Sequence, residues 1–83
     1  MKLVLYVDGS ELSGKAKDFL KSEQFIFEEV NTTTPAGASQ LLKRTYQQGV
    51  PALEIVRSHS VGVLTDFDEE HWRNHLHSLL PRK

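Results

Sequence analysis

Apolar and polar positions follow two rhythms along this chain. Leu3-Val4-Leu5-Tyr6-Val7 is an unbroken apolar run, which predicts a strand covered on both faces. Asp8-Gly9-Ser10 is turn chemistry, and Asp8 with Glu11 three residues later resembles a capping box. A helix is therefore expected from near Gly9, with Leu12, Ala16, Phe19 and Leu20 as its apolar stripe and Lys15, Lys17 and Asp18 opposite. It fades at Ser22.

The aromatic and β-branched segment Phe25-Ile26-Phe27-Glu28-Glu29-Val30 predicts a second strand. Thr34 is a good N-cap with Pro35 at the first helical position. The second helix then runs through Ala38, Leu41 and Leu42 to about Tyr46, with Gly49 as its stop. Pro51 opens a third strand, Ala52 to Val56, at a position that tolerates proline. Ser58-His59-Ser60 reads as a hairpin tip and Val61-Gly62-Val63-Leu64 as the returning strand. Asp66 to Glu70 supply negative charge to the start of a last helix, where the backbone dipole favours it. Trp72, Leu76, Leu79 and Leu80 give that helix its apolar face, and Pro81 closes it.

The order is β-α-β-α-β-β-α, an α/β pattern. The first βαβ unit crosses over right-handed and yields parallel strands, and the last two strands form an antiparallel hairpin. One domain spans residues 1–83.

Composition narrows the function classes. Ten basic and eleven acidic residues nearly cancel, so no global attraction to nucleic acid or anionic membrane is expected. No apolar run approaches membrane-spanning length, and the N-terminus is too soon acidic for a secretory signal; a cytoplasmic location is the expectation. The chain has no cysteine, so packing alone must stabilise it.

The absence of sulfur matters at one junction. Ser10-Glu11-Leu12-Ser13 opens the first helix directly after a strand, where an intracellular βαβ unit would carry a Cys-x-x-Cys redox motif. Taken alone, the two serines are good helix-capping residues. Three further features share their register: Gly49-Val50-Pro51 before the third strand, Gly62, and Phe67-Asp68-Glu69-Glu70 opening the last helix. Lys15 to Leu20 and Phe27 to Val30 fit the same pattern. Over nearly its full length the chain resembles the glutaredoxin branch of the thioredoxin fold.

That resemblance implies a thiol–disulfide oxidoreductase scaffold with sheet order 2-1-3-4, the first and third helices on one face and the second on the other. Ser10 occupies the place of the nucleophilic cysteine, whose pKa the helix N-terminus lowers, and Ser13 that of the resolving cysteine. Pro51 matches a proline that is cis in the family, and Val50 the residue whose backbone pairs with a peptide or glutathione. Thr65 and Asp66 complete the groove, and the backbone from about Asp66 to Asp68 would hold the glutamyl end of glutathione. Serine is not redox active, so this form is expected to be redox-inactive, by natural loss or by Cys→Ser engineering. Glu11 and Leu12 replace the usual proline and aromatic between the cysteines, and Asp8 and Val7 stand where a family lysine often binds a glutathione carboxylate. Acidic Asp8 and Glu11 would repel that anionic tripeptide, which Lys43 and Arg44 would partly offset.

Two other readings stand beside it. One is a non-catalytic module holding an extended or disulfide-containing peptide or protein in the groove beside Pro51. The other is glutathione-dependent transferase chemistry at Ser10. Serine hydrolysis is disfavoured, because no histidine is placed to act as base. No cofactor is expected beyond the glutathione that the resemblance implies. His71 and His75 share a helical face one turn after Asp68, a spacing that suits a divalent metal. No third ligand converges in sequence, so they read as solvated polar residues and no metal is expected.

Overall fold

The computed structural model describes residues 2–46 and 49–79. Its elements are β1 (Lys2–Val7), α1 (Glu11–Ser22), β2 (Glu28–Asn31), α2 (Pro35–Thr45), β3 (Ala52–Val56), β4 (Val61–Leu64) and α3 (Glu69–Leu79). They build a four-stranded sheet in the order β2-β1-β3-β4. β1 and β2 are parallel; β1–β3 and β3–β4 are antiparallel. Element order, sheet order and strand directions agree with the expected pattern.

The apolar run of β1 is continuous because its alternate side chains meet different layers. Leu3, Leu5 and Val7 join Leu53, Ile55 and Leu64 under α1 and α3, with Ala16, Phe19, Leu20, Trp72 and Leu76 from those helices. Val4 and Tyr6 face the other way, against Ala52 and Leu41 of α2. A central strand buried on both faces has no position at which polar alternation would survive.

Four expectations shift in detail. α1 starts at Glu11, and its cap is Ser10, whose hydroxyl accepts from Ser13 N. Its buried face is Ser13, Ala16, Phe19 and Leu20, whereas Leu12 remains 42% exposed. The hydrogen bonds that Ser13 makes with Asp8 and Ser10 hold that side of the first turn inward, and Leu12 rotates to solvent. β2 is shorter than expected because pairing begins only at Val4↔Glu28. Phe25 and Phe27 lie ahead of the ladder and pack on the α1–α3 core, leaving Ile26 between them 94% exposed. α2 ends at Thr45 with Tyr46 left-handed (φ 59°), so the turn comes before Gly49, and Leu42 is exposed. The last helix begins at Glu69, with the Asp68 carboxylate accepting from His71 N. Leu80 and Pro81 lie outside the described residues.

Two helical glycines are expected to respond oppositely to alanine. A Cβ on Gly14, in α1, meets nothing within 4 Å, so Gly14→Ala should stabilise by about 0.5–1 kcal/mol through helix propensity. A Cβ on Gly37, in the first turn of α2, would collide with the backbone carbonyl of Asn31 and come within 3.1 Å of Thr34 Oγ1. Gly37→Ala should therefore destabilise by about 1–3 kcal/mol, since overpacking against backbone outweighs propensity. Urea unfolding of both variants checks the signs. A stabilised Gly37→Ala would mean that the β2–α2 turn can move aside.

Candidate functional site

The site is assembled at one end of the sheet. Val7 ends β1 and Ala52 begins β3, and the register Tyr6↔Ala52 extended by one residue sets Val7 beside Pro51. The register Leu53↔Leu64, extended by two, sets Asp66 on the other side of Pro51. Ser10 follows Val7 by three residues, and the left-handed Gly9 (φ 83°) turns the chain into α1 there. Ser10, Pro51, Thr65 and Asp66, far apart in sequence, thus emerge at the same edge. The Val50–Pro51 peptide is cis.

The serine pair is tied down on all sides. Ser10 Oγ donates to Ser13 Oγ (3.2 Å), and Ser13 Oγ donates to Asp8 Oδ1 (2.9 Å). Asp8 Oδ1 also accepts from Ser10 N at 2.9 Å, and Ser10 Oγ accepts from Ser13 N at 3.3 Å. The Asp8 amide points at Ser13 Oγ, 3.4 Å away. The hydroxyl protons therefore run Ser10 to Ser13 to Asp8, ending on a carboxylate. Hydrogen bonds from Ser10, then from Ser13, hold the Asp8 carboxyl below its ordinary range despite some desolvation. Ser13 is 1% exposed and Ser10 exposed. The inner hydroxyl is therefore out of a ligand's reach and only the outer one meets solvent.

A shallow recess of about 170 Å³ opens beside this pair, lined by Val7, Gly9, Ser10, Ser13, Gly14, Lys17 and Glu29. Lys17 and Glu29 close it with a 2.9 Å ion pair. Across the sheet end, the Thr65 carbonyl accepts from the Trp72 indole at 3.3 Å. Asp66 is left-handed (φ 50°) and exposed. The Thr65–Asp66 segment is thus shaped by a core tryptophan rather than by the loop's own contacts.

Arg44, assigned by sequence to offset acidity at the site, is committed elsewhere. Its Nε pairs at 3.0 Å with Glu54, a carboxylate only 1% exposed in the middle of β3. Glu54 Oε1 also accepts from Tyr6 Oη at 2.9 Å, and Gln40 Nε2 reaches the same phenol at 3.4 Å. Burial, more than the neighbouring carboxylate, raises the Tyr6 pKa. The sequence signal for this network was one charged residue inside the otherwise apolar strand Ala52–Val56.

No protein-family model matches the chain. No curated protein matches it either. Among solved structures it is similar to the N-terminal domain of SasA from Synechococcus elongatus, determined in solution, with a TM-score of 0.70 and 24% identity. The alignment covers 89% of this chain and 76% of that one. The likeness carries the fold: a thioredoxin-like α/β domain with a 2-1-3-4 sheet and three helices. No helix among the described residues is long and apolar enough to cross a membrane.

Proposed function

We propose that this chain is a glutaredoxin-like thioredoxin-fold protein whose dithiol site has become a pair of hydroxyls. In this form it holds an extended peptide or protein segment, without a covalent bond, beside Val50-Pro51 in the cytoplasm. The observation that carries the reading is the closed Asp8–Ser10–Ser13 hydrogen-bond chain at the position of the family cysteines. It fills the dithiol position with groups that neither accept electrons nor form a disulfide. It also stabilises the helix start that a thiolate would otherwise use.

The same chain argues against chemistry at Ser10. A glutathione-dependent transferase would need the Ser10 hydroxyl to donate to the substrate thiol, whereas its proton is directed to Ser13. Asp8, the carboxylate nearest the pair, already accepts from the buried Ser13 hydroxyl and the Ser10 amide. Electrostatics point the same way, since Asp8 and Glu11 lie beside the site and Arg44 is engaged with Glu54. An extended peptide pairing through backbone groups is less sensitive to that acidity than an anionic tripeptide.

The test restores sulfur. Ser10→Cys with Ser13→Cys should yield a folded protein that reduces disulfides, while the native chain shows none of this activity. A folded double variant without activity counts against the redox parentage. Titrating the native chain with an extended, disulfide-containing peptide should move the backbone amide signals of Val50 and Asp66. Glutathione should move them far less at equal millimolar concentration. Unmoved amides with the peptide would remove the binding reading.

A further inference from the structure

The chain's four histidines fall into different surroundings. His77 is taken: its Nε2 lies 3.1 Å from Glu23 Oε1, and its ring meets Phe25 edge-on. His59 is exposed at the tip of the β3–β4 hairpin. His71 and His75, by contrast, stand one above the other on the outer face of α3. Their rings are stacked, 28° from parallel, with centroids 6.4 Å apart. Both residues are exposed, and among the described residues their ring nitrogens have no hydrogen-bond or ion-pair partner.

We infer that His71 and His75 form a two-histidine chelate for a divalent transition-metal ion such as zinc or nickel. Helical i, i+4 spacing sets the two side chains on one face, one turn apart. Two imidazole nitrogens bound at about 2.0–2.1 Å to one tetrahedral ion stand roughly 3.3 Å from each other. Because both rings project into solvent, rotation about their side-chain torsions closes the stacked pair to that span without moving the backbone. Imidazole suits zinc, nickel and copper, and binding needs the neutral ring.

The surrounding charge favours a cation. The N-terminus of a helix alone would repel one, but Asp68, Glu69 and Glu70 directly precede His71. Glu69 is partly neutralised by Arg73 at 2.8 Å, and Asp68 and Glu70 have no ion pair among the described residues. No set of three or more His, Cys, Asp or Glu side chains suited to a metal ion exists among the described residues. The protein therefore supplies two ligands and water the rest, which makes this an exchangeable surface site, open to a further ligand from outside. It lies on α3, apart from the serine pair, and does not depend on the proposed function.

The test uses the full chain and the metal ions alone. Calorimetric titration with zinc and with nickel should show one site per chain. His71→Ala and His75→Ala should each weaken it at least about tenfold, as expected when a chelate loses one of two arms. His59→Ala should leave it unchanged. In nickel titrations the imidazole signals of His71 and His75 should broaden before those of His59 and His77. At free zinc ten times the dissociation constant, the unfolding equilibrium constant should fall about elevenfold in the native chain and not in His71→Ala. Binding that survives both alanine variants, or broadening that begins at His77 or His59, overturns the assignment. All the substituted side chains are exposed, so the variants should fold.

Discussion

Replacing Trp72 with alanine is expected to destabilise the protein by about 3–5 kcal/mol, the range for removing a large buried aromatic. Trp72 is fully buried and is the largest side chain in the core. Its ring meets Phe67 edge-on at 4.9 Å, and Phe67 in turn lies 5.7 Å from Phe19 of α1. The indole N–H is bonded to the Thr65 carbonyl. One side chain therefore joins α3, α1 and the loop after β4. For a domain this small the melting temperature should fall on the order of 20 °C. Trp72→Phe separates the two roles. It keeps most of the apolar surface and leaves the Thr65 carbonyl without its donor, which should cost about 1–2 kcal/mol. It should also shift the Asp66 amide signal in a protein that is still folded. A Trp72→Ala variant that loses less than about 1 kcal/mol would show that α3 is not anchored through this residue.

The second large effect is expected beneath α2. Glu54 is a buried carboxylate held by Arg44 and Tyr6. Removing Arg44 leaves that charge facing only a phenol, and breaking a buried pair in this way typically costs about 3–5 kcal/mol. Arg44 is half exposed, so water can enter in its place, and the lower end, about 3 kcal/mol, is expected for Arg44→Ala. Replacing both partners should behave differently. Arg44→Met with Glu54→Leu removes the desolvation cost along with the attraction, and Tyr6 Oη retains Gln40 nearby at 3.4 Å. The double variant should fall within about 1 kcal/mol of the native chain or exceed it. A double-mutant cycle by urea unfolding measures this directly. Additive losses would mean that the pair is not coupled and that Glu54 is satisfied by Tyr6 alone.

These two sites differ in how visible they are in the sequence. Trp72 falls on a clear helical stripe with Leu76 and Leu79, so its burial is read from spacing alone. Glu54 breaks the pattern of its own strand, and spacing gives only the anomaly. Its partners come from β1 and α2, 48 and 10 residues away. Nothing local selects Arg44 over its neighbour Lys43, and the site assignment for Arg44 at the sheet end failed for that reason. Leu12 and Ser13 show the same limit on a smaller scale. Hydrophobicity favours burying Leu12, but the hydrogen bonds of Ser13 to Asp8 and Ser10 set the rotation of the first turn. Phe25 to Phe27 has strand-forming residues, yet no partner strand begins until Glu28.

By itself the sequence determined the element order, the parallel first strand pair and the antiparallel last one. Those follow from local periodicity, turn chemistry and the βαβ crossover, none of which needs coordinates; the sheet order and the faces the helices cover were legible only through the family resemblance. Through the family resemblance it also singled out Ser10 and Ser13 as candidate site residues. Only the tertiary structure decided that the Ser13 hydroxyl donates to Asp8, that a charge pair lies under α2, and that His71 and His75 stack while His77 is held by Glu23. Side-chain pairing across the fold depends on angles and depths a few ångströms in size, and a pattern of apolar and polar letters carries no such distances.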